Sequence, residues 1–151
     1  MENEVTHQRF KVLFIMYAFR SGGTEAIVTS LQKKLAERNI QVDYLVCRSG
    51  ENNSQFEKAC KLGGRFHSIY MPDAQRLRNI FETSRRMQQI MFRDGPYAAV
   101  HVHDPYIFGP SMIAAYHCGI PLRVIHMHVA IPAAFTFKNW AVDRLVWLAG
   151  V

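Results

Sequence analysis

Short apolar runs alternate along this chain with segments of helical periodicity, and that alternation restricts the fold more than any other feature of the sequence. The first run, residues 12–16, is apolar without a break, as a parallel strand covered on both faces must be. Behind it comes a helical pattern over 24–38, where Ile27, Leu31 and Leu35 recur every four residues before Asn39 ends it. Residues 42–47 form a second apolar run. Ser54 and Glu57 make a capping box for a short helix through Phe56, Ala59 and Leu62, closed by Gly63-Gly64. A third strand is expected over 66–71, stopped by Pro72. Over 75–93 the residues Leu77, Ile80, Phe81, Met87, Ile90 and Met91 give a helical stripe with arginines opposite, ended by Gly95-Pro96. Residues 98–103 read as a fourth strand, 107–118 as a helix with Gly119 as its C-cap, 122–126 as a fifth strand and 140–148 as a last helix.

Strands alternating with helices through short connections predict a parallel sheet wound by right-handed crossovers, with order 3-2-1-4-5. In that order strands one and four are neighbours whose connections leave in opposite directions, so a crevice opens at their carboxyl ends. The loops that line it are 17–23 and 103–105. At 151 residues and 49% hydrophobic content the chain has the size of one domain with a proper core. It shows no apolar stretch long enough to span a bilayer, and the first four residues lack the pattern of a signal peptide, so a cytosolic protein is expected. Cys47, Cys60 and Cys118 are scattered, without C-x-x-C spacing, and read as reduced, mostly buried thiols. Eighteen basic against twelve acidic residues give a net charge of +6, which favours an anionic partner.

The glycines Gly22-Gly23, between the first strand and the first helix, sharpen that expectation. Glycines let a ligand approach the backbone, and the unpaired amides and dipole of a helix N-terminus favour a phosphate. The simpler alternative is a tight turn. At the crevice the segments His101-Val102-His103-Asp104-Pro105 and His126-Met127-His128 close two adjacent strands. His101 and His103 share one face, and so do His126 and His128 if the strand extends that far. Each histidine taken singly reads as a hydrogen-bonded structural residue, but their gathering at a switch point indicates a site. Two His-x-His pairs with Asp104 are also a candidate metal ligand set, the basis of a metal-dependent hydrolase reading. H-E-x-x-H is absent, however, and no metal site is expected. The turn lacks G-x-G-x-x-G, strand two ends in Cys47-Arg48 where a ribose-binding acid is wanted, and no P-loop motif occurs.

In these residues the chain resembles the N-terminal domain of the family 4 retaining glycosyltransferases, enzymes of two Rossmann-like domains in the GT-B architecture. The resemblance covers nearly the whole chain. It rests on Gly22-Gly23-Thr24-Glu25, the Leu-x-x-x-Leu-x-x-Arg helix before residues 42–46, Lys61-Leu62-Gly63-Gly64, Val100-His101-Val102-His103, and Gly119-Ile120-Pro121 leading to His126-Met127-His128. It implies a nucleotide-sugar donor whose diphosphate meets Gly22, Gly23 and Thr24, and a His128 beside the transferred sugar. His103 and Asp104 would lie toward the acceptor, with no separate cofactor or metal. The acceptor would be a glycan or lipid-linked molecule, often at the inner membrane face. The resemblance also implies a C-terminal donor domain beyond residues 1–151, so an excised domain, a truncated product or half of an enzyme completed by a partner chain is expected.

Arg76, Arg78, Arg85, Arg86 and Arg93 crowd one helix, a solvated face or a surface for anionic lipid. Nucleic acid is not expected as a partner, because no recognition helix or aromatic RNA-binding signature accompanies the charge. Phe135, Phe137, Trp140 and residues 145–148 form a sticky segment suited to packing on this domain or a partner domain. The rival to the enzyme reading is a non-catalytic binding module of the same fold.

Overall fold

The computed structural model describes residues 10–48, 53–71 and 77–128. Its elements follow in the order β1 (Lys11–Met16), α1 (Gly23–Ala36), β2 (Gln41–Val46), α2 (Ser54–Lys61), β3 (Phe66–Ser68), α3 (Leu77–Asp94), β4 (Ala99–Val102), a 3-10 turn (Pro105–Ile107), α4 (Phe108–His117) and β5 (Leu122–Ile125). All four strand pairings are parallel and the order is β3-β2-β1-β4-β5. This is the Rossmann-like arrangement that the alternation predicts, one half of a GT-B fold.

The sheet separates two apolar layers because successive residues of a strand point to opposite faces. Leu13, Ile15, Leu45, Val100 and Val102 pack on one side with Met87, Ile90 and Met91 of α3 and Met112, Ala114 and Ala115 of α4. Phe14, Met16, Val42, Tyr44 and Val46 pack on the other with Val28 of α1 and Ala59 of α2. Two buried polar networks tie these layers together. The Tyr44 hydroxyl donates to Gln32 Oε1 at 2.9 Å, and Gln32 Nε2 donates to the Ala59 carbonyl at 3.0 Å, which ties α1, β2 and α2 together. Near the amino end of the sheet, the fully buried Asp43 carboxylate accepts from the Tyr97 hydroxyl at 3.0 Å and from Gln41 Nε2 at 2.9 Å, with Lys11 Nζ 3.4 Å away.

Several local expectations need correction. Asn53, not Ser54, caps α2: its side-chain oxygen accepts from the Gln55 and Phe56 amides at 3.0 Å each, and Ser54 is already helical. Ile27 is 49% exposed, because the inner face of α1 is set by Val28, Thr29 and Gln32. Phe81 of α3 is exposed as well, and Thr83 and Ser84 take inward positions instead. β3 covers only Phe66–Ser68, although the Ile69 amide still donates to the Val46 carbonyl at 3.0 Å. The fourth helix starts at Phe108 behind the 3-10 turn, and β4 and β5 end at Val102 and Ile125. Of the thiols, Cys47 is buried but Cys60 is exposed. Gly63 and Gly119 hold the positive φ of helix C-caps, at 82° and 65°. The expected helix over 140–148 and the sticky segment from Phe135 lie outside the described residues.

Candidate functional site

The loops after β1 and β4 meet, as the switch point requires. Asp104 Oδ2 accepts from the Tyr17 amide at 2.9 Å, and the Tyr17 and Tyr106 rings lie 6.2 Å apart. One Asp104 oxygen is therefore spent on joining the two loops, a contact the sequence did not announce.

Gly22 is the N-cap of α1, in extended conformation (φ −149°), and no side chain caps the helix. The amides of Gly23 and Thr24 have no hydrogen-bond partner among the described residues. They are the orphan donors an anion would take. Glu25, on the first turn of α1, is 8% exposed and turns its carboxylate back, so that Oε1 accepts from the Arg20 amide at 2.8 Å. A Cβ on Gly22 would sit 2.7 Å from Glu25 Oε2, whereas one on Gly23 would meet nothing within 4 Å. A side chain at Gly22 would thus have to displace the Glu25 carboxylate that holds the Arg20 amide. At Gly23, which lacks positive φ, the protein does not explain the missing side chain.

Across the crevice the four histidines gather on the face of the sheet that carries Phe14, because Phe14 pairs with His101 in register and His101 with Val124. The ring centroids are 4.1 Å apart for His101 and His103, 4.2 Å for His126 and His128, and 5.3 Å for His103 and His128. Phe14 closes the stack edge-on, 5.3 Å from His101 and 5.0 Å from His103. His103, 2% exposed, places Nδ1 3.0 Å from His128 Nε2. Burial pushes the His103 pKa down to about 2 and that of His101 to about 4, with neighbouring imidazoles adding to both shifts. His128 is lowered too, by desolvation first and His126 second. Neutral imidazoles lend their nitrogens to hydrogen bonding, and the hydrogen bond of one sets the tautomer of the next.

One ligand nitrogen from each of His101, His103 and His126 can be chosen so that all lie within 4.8 Å of one another. The His101 and His126 rings stack at 12°, while His103 is tilted by 35° to His101 and by 44° to His126. Asp104, the expected carboxylate of a metal set, is drawn to Tyr17.

The fold brings the segments that carry Gly22, Gly23, Thr24, His103, Asp104 and His128, the site residues expected from the sequence, to one edge of the sheet. Not expected from the sequence was the structural work of Glu25 and Asp104. The Glu three residues beyond a helix N-cap was the available signal for Glu25.

Comparison with known proteins agrees with this geometry. The profile of Glycosyltransferase Family 4 matches residues 21–150. Over 135 residues the chain is 31% identical to "Putative glycosyltransferase EpsF" of Bacillus subtilis (strain 168), covering 89% of this chain and 33% of that protein. The chain thus spans about a third of the length of that curated relative. Among solved structures, MurG of Acinetobacter baumannii superposes with a TM-score of 0.61 at 19% identity, over 89% of this chain and 39% of that one. A glycosyltransferase from Rickettsia africae ESF-5 gives 0.61 at 14%, over 89% and 34%. A UDP-N-acetylglucosamine 2-epimerase gives 0.59 at 13%, over 95% and 40%. These structures share the fold, which serves more than one reaction; the family match over residues 21–150 and the 31% identical relative are what assign the chain. The chain belongs to glycosyltransferase family 4.

Proposed function

We propose that this chain is the acceptor-side domain of an enzyme that moves a sugar from a nucleotide-sugar donor to a polysaccharide, lipid-linked or similar acceptor, with retention at the anomeric carbon. The observation that carries this reading is the uncapped N-terminus of α1, opened by Gly22-Gly23, at the same sheet edge as the His103–His128 pair in a family 4 chain. The Gly23 and Thr24 amides stabilise the leaving diphosphate, where the helix dipole offsets its charge as it grows. His128 faces the donor sugar and steadies charge at the reacting carbon, while His103 holds the His128 ring. Asp104 joins the two loops through its bond to the Tyr17 amide. A front-face reaction guided by the leaving phosphate asks for no enzyme nucleophile.

A second domain completes the donor site in this reading, supplied by the same polypeptide or a partner chain. The enzyme works in the cytoplasm, held peripherally at the inner membrane face by the arginine-bearing α3; no helix among the described residues is long and apolar enough to cross a membrane. On α3, Phe81 and Phe92 are exposed together with Arg85 and Arg93, a combination that suits anionic headgroups. Neither nucleic acid nor a metal or organic cofactor takes part.

The test is transfer activity. The 151-residue chain alone should not turn over sugar nucleotides, whereas the same chain joined to a complementary donor domain should. Robust multiple turnover by the isolated chain would refute the two-domain site.

A further inference from the structure

An open recess of about 450 Å3 lies at the carboxyl ends of β1, β2 and β3, on the opposite side of β1 from the histidines. Arg20 and Arg48 stand at its rim beside Ser68 and Tyr70, and Cys47 forms part of its wall. No carboxylate is among the described residues that line it. Both arginines are exposed, and among the described residues neither is in an ion pair. Two arginines of α3 behave otherwise: Arg86 is bound to Glu82 and Arg93 to Asp94. The guanidinium of Arg48 lies over the Tyr17 ring, 5.7 Å from its centre. This places the charge beside the loop that lines the crevice.

The wall adds no negative charge of its own. Burial, and secondarily the nearby Asp104, pushes the Cys47 thiol up to about 12, so it stays protonated. Asp104 itself is turned onto the Tyr17 amide. Two guanidinium groups, in no ion pair among the described residues, line the recess together with Ser68 and Tyr70, a composition suited to an anion with several oxygens.

We propose that this recess binds an anionic group, a phosphate or a carboxylate, carried by the acceptor. The proposal rests on the glycosyltransferase reading of the sheet edge. His128 packs on His103 at the end of β4, two strands from β2, and strands lie about 4.8 Å apart, so the centre of the recess is about 10 Å from His128. The anion is therefore not on the sugar ring that receives the new bond but farther along the acceptor, as in a charged polysaccharide or a lipid-linked phosphate.

Backbone amide resonances of the intact 151-residue chain provide the test, titrated separately with inorganic phosphate and with uridine diphosphate. Phosphate is expected to move the signals of Arg48, Ser68 and Tyr70 saturably. Arg48→Gln and Arg20→Gln, both at exposed positions, should each weaken that response at least ~10-fold with the rest of the spectrum unchanged. Uridine diphosphate should act at Gly23 and Thr24 and leave phosphate in the recess. A phosphate response absent from the recess, or indifferent to both variants, overturns the proposal. So does displacement of phosphate by uridine diphosphate, which would assign the recess to the donor. If the recess responds as described but Gly23 and Thr24 ignore uridine diphosphate, the donor reading fails while the anion site stands.

Discussion

Gly22 and Gly23 lack a side chain for different reasons, and mutation should separate them. Gly22→Ala pushes a methyl group into the Glu25 carboxylate that holds the Arg20 amide, so it should lower stability by about 1–2 kcal/mol in urea unfolding. Gly23→Ala should be nearly neutral in the same measurement, since its methyl group enters open space. The histidines make a second forecast at this scale. His101 and His103 have folded pKa values of about 4 and about 2, below the value near 6.5 of an unfolded chain. The unfolded state then binds protons that the folded state refuses, so stability is full above about pH 6.5 and falls as the pH drops toward 4. His103→Asn should flatten part of that slope in pH-dependent unfolding; an unchanged slope would mean that His103 titrates normally. In the complete enzyme, His128→Ala should lower kcat while leaving nucleoside diphosphate binding nearly unaltered, as isothermal titration would show.

At the scale of elements, the second helix gives the clearest check. Asn53→Ala should cost about 1 kcal/mol, because two first-turn amides lose their acceptor, while Ser54→Ala should cost little. Equal losses would restore the capping box read from Ser54 and Glu57. That error shows what was legible. A capping box and a cap one residue earlier look alike in sequence, since Asn53 and Ser54 are both good caps. The buried strands were legible because both faces are covered and their apolar runs are unbroken, so β1, β2 and the sheet order follow from the chain. Helix faces were less so: Ile27 fits a four-residue period, but α1 turns Gln32 inward to bond Tyr44 and the Ala59 carbonyl, which rotates Ile27 outward. Such pairings join residues 12 and 27 positions apart, and no local pattern encodes them. For the same reason the candidate site was legible in its residue types, glycines and histidines at strand ends, but not in the Asp104–Tyr17 or His103–His128 contacts.

Across the whole molecule, a buried charged cluster sits near the sheet's amino end, and the candidate site lies at its carboxyl end. Asp43 is fully buried with Tyr97, Gln41 and Lys11 about it, so Lys11→Met should leave a buried carboxylate without its cation and cost about 3 kcal/mol. The carboxyl end instead leaves donors unused: the amides at the start of α1 and the guanidinium groups of Arg20 and Arg48. These unused donors are the groups an anionic ligand would take.

Gly23→Val in the complete enzyme, with kcat/KM for the donor and thermal unfolding read side by side, tests that claim most directly. The open space beside Gly23 tolerates a side chain in the absence of ligand but not with a diphosphate in place. The expected result is a loss of at least ~10-fold in kcat/KM, equivalent to one anion contact of about 1.5 kcal/mol, with little change in unfolding temperature. Donor affinity and turnover both intact would contradict it, and Gly22-Gly23 would then be no more than a turn.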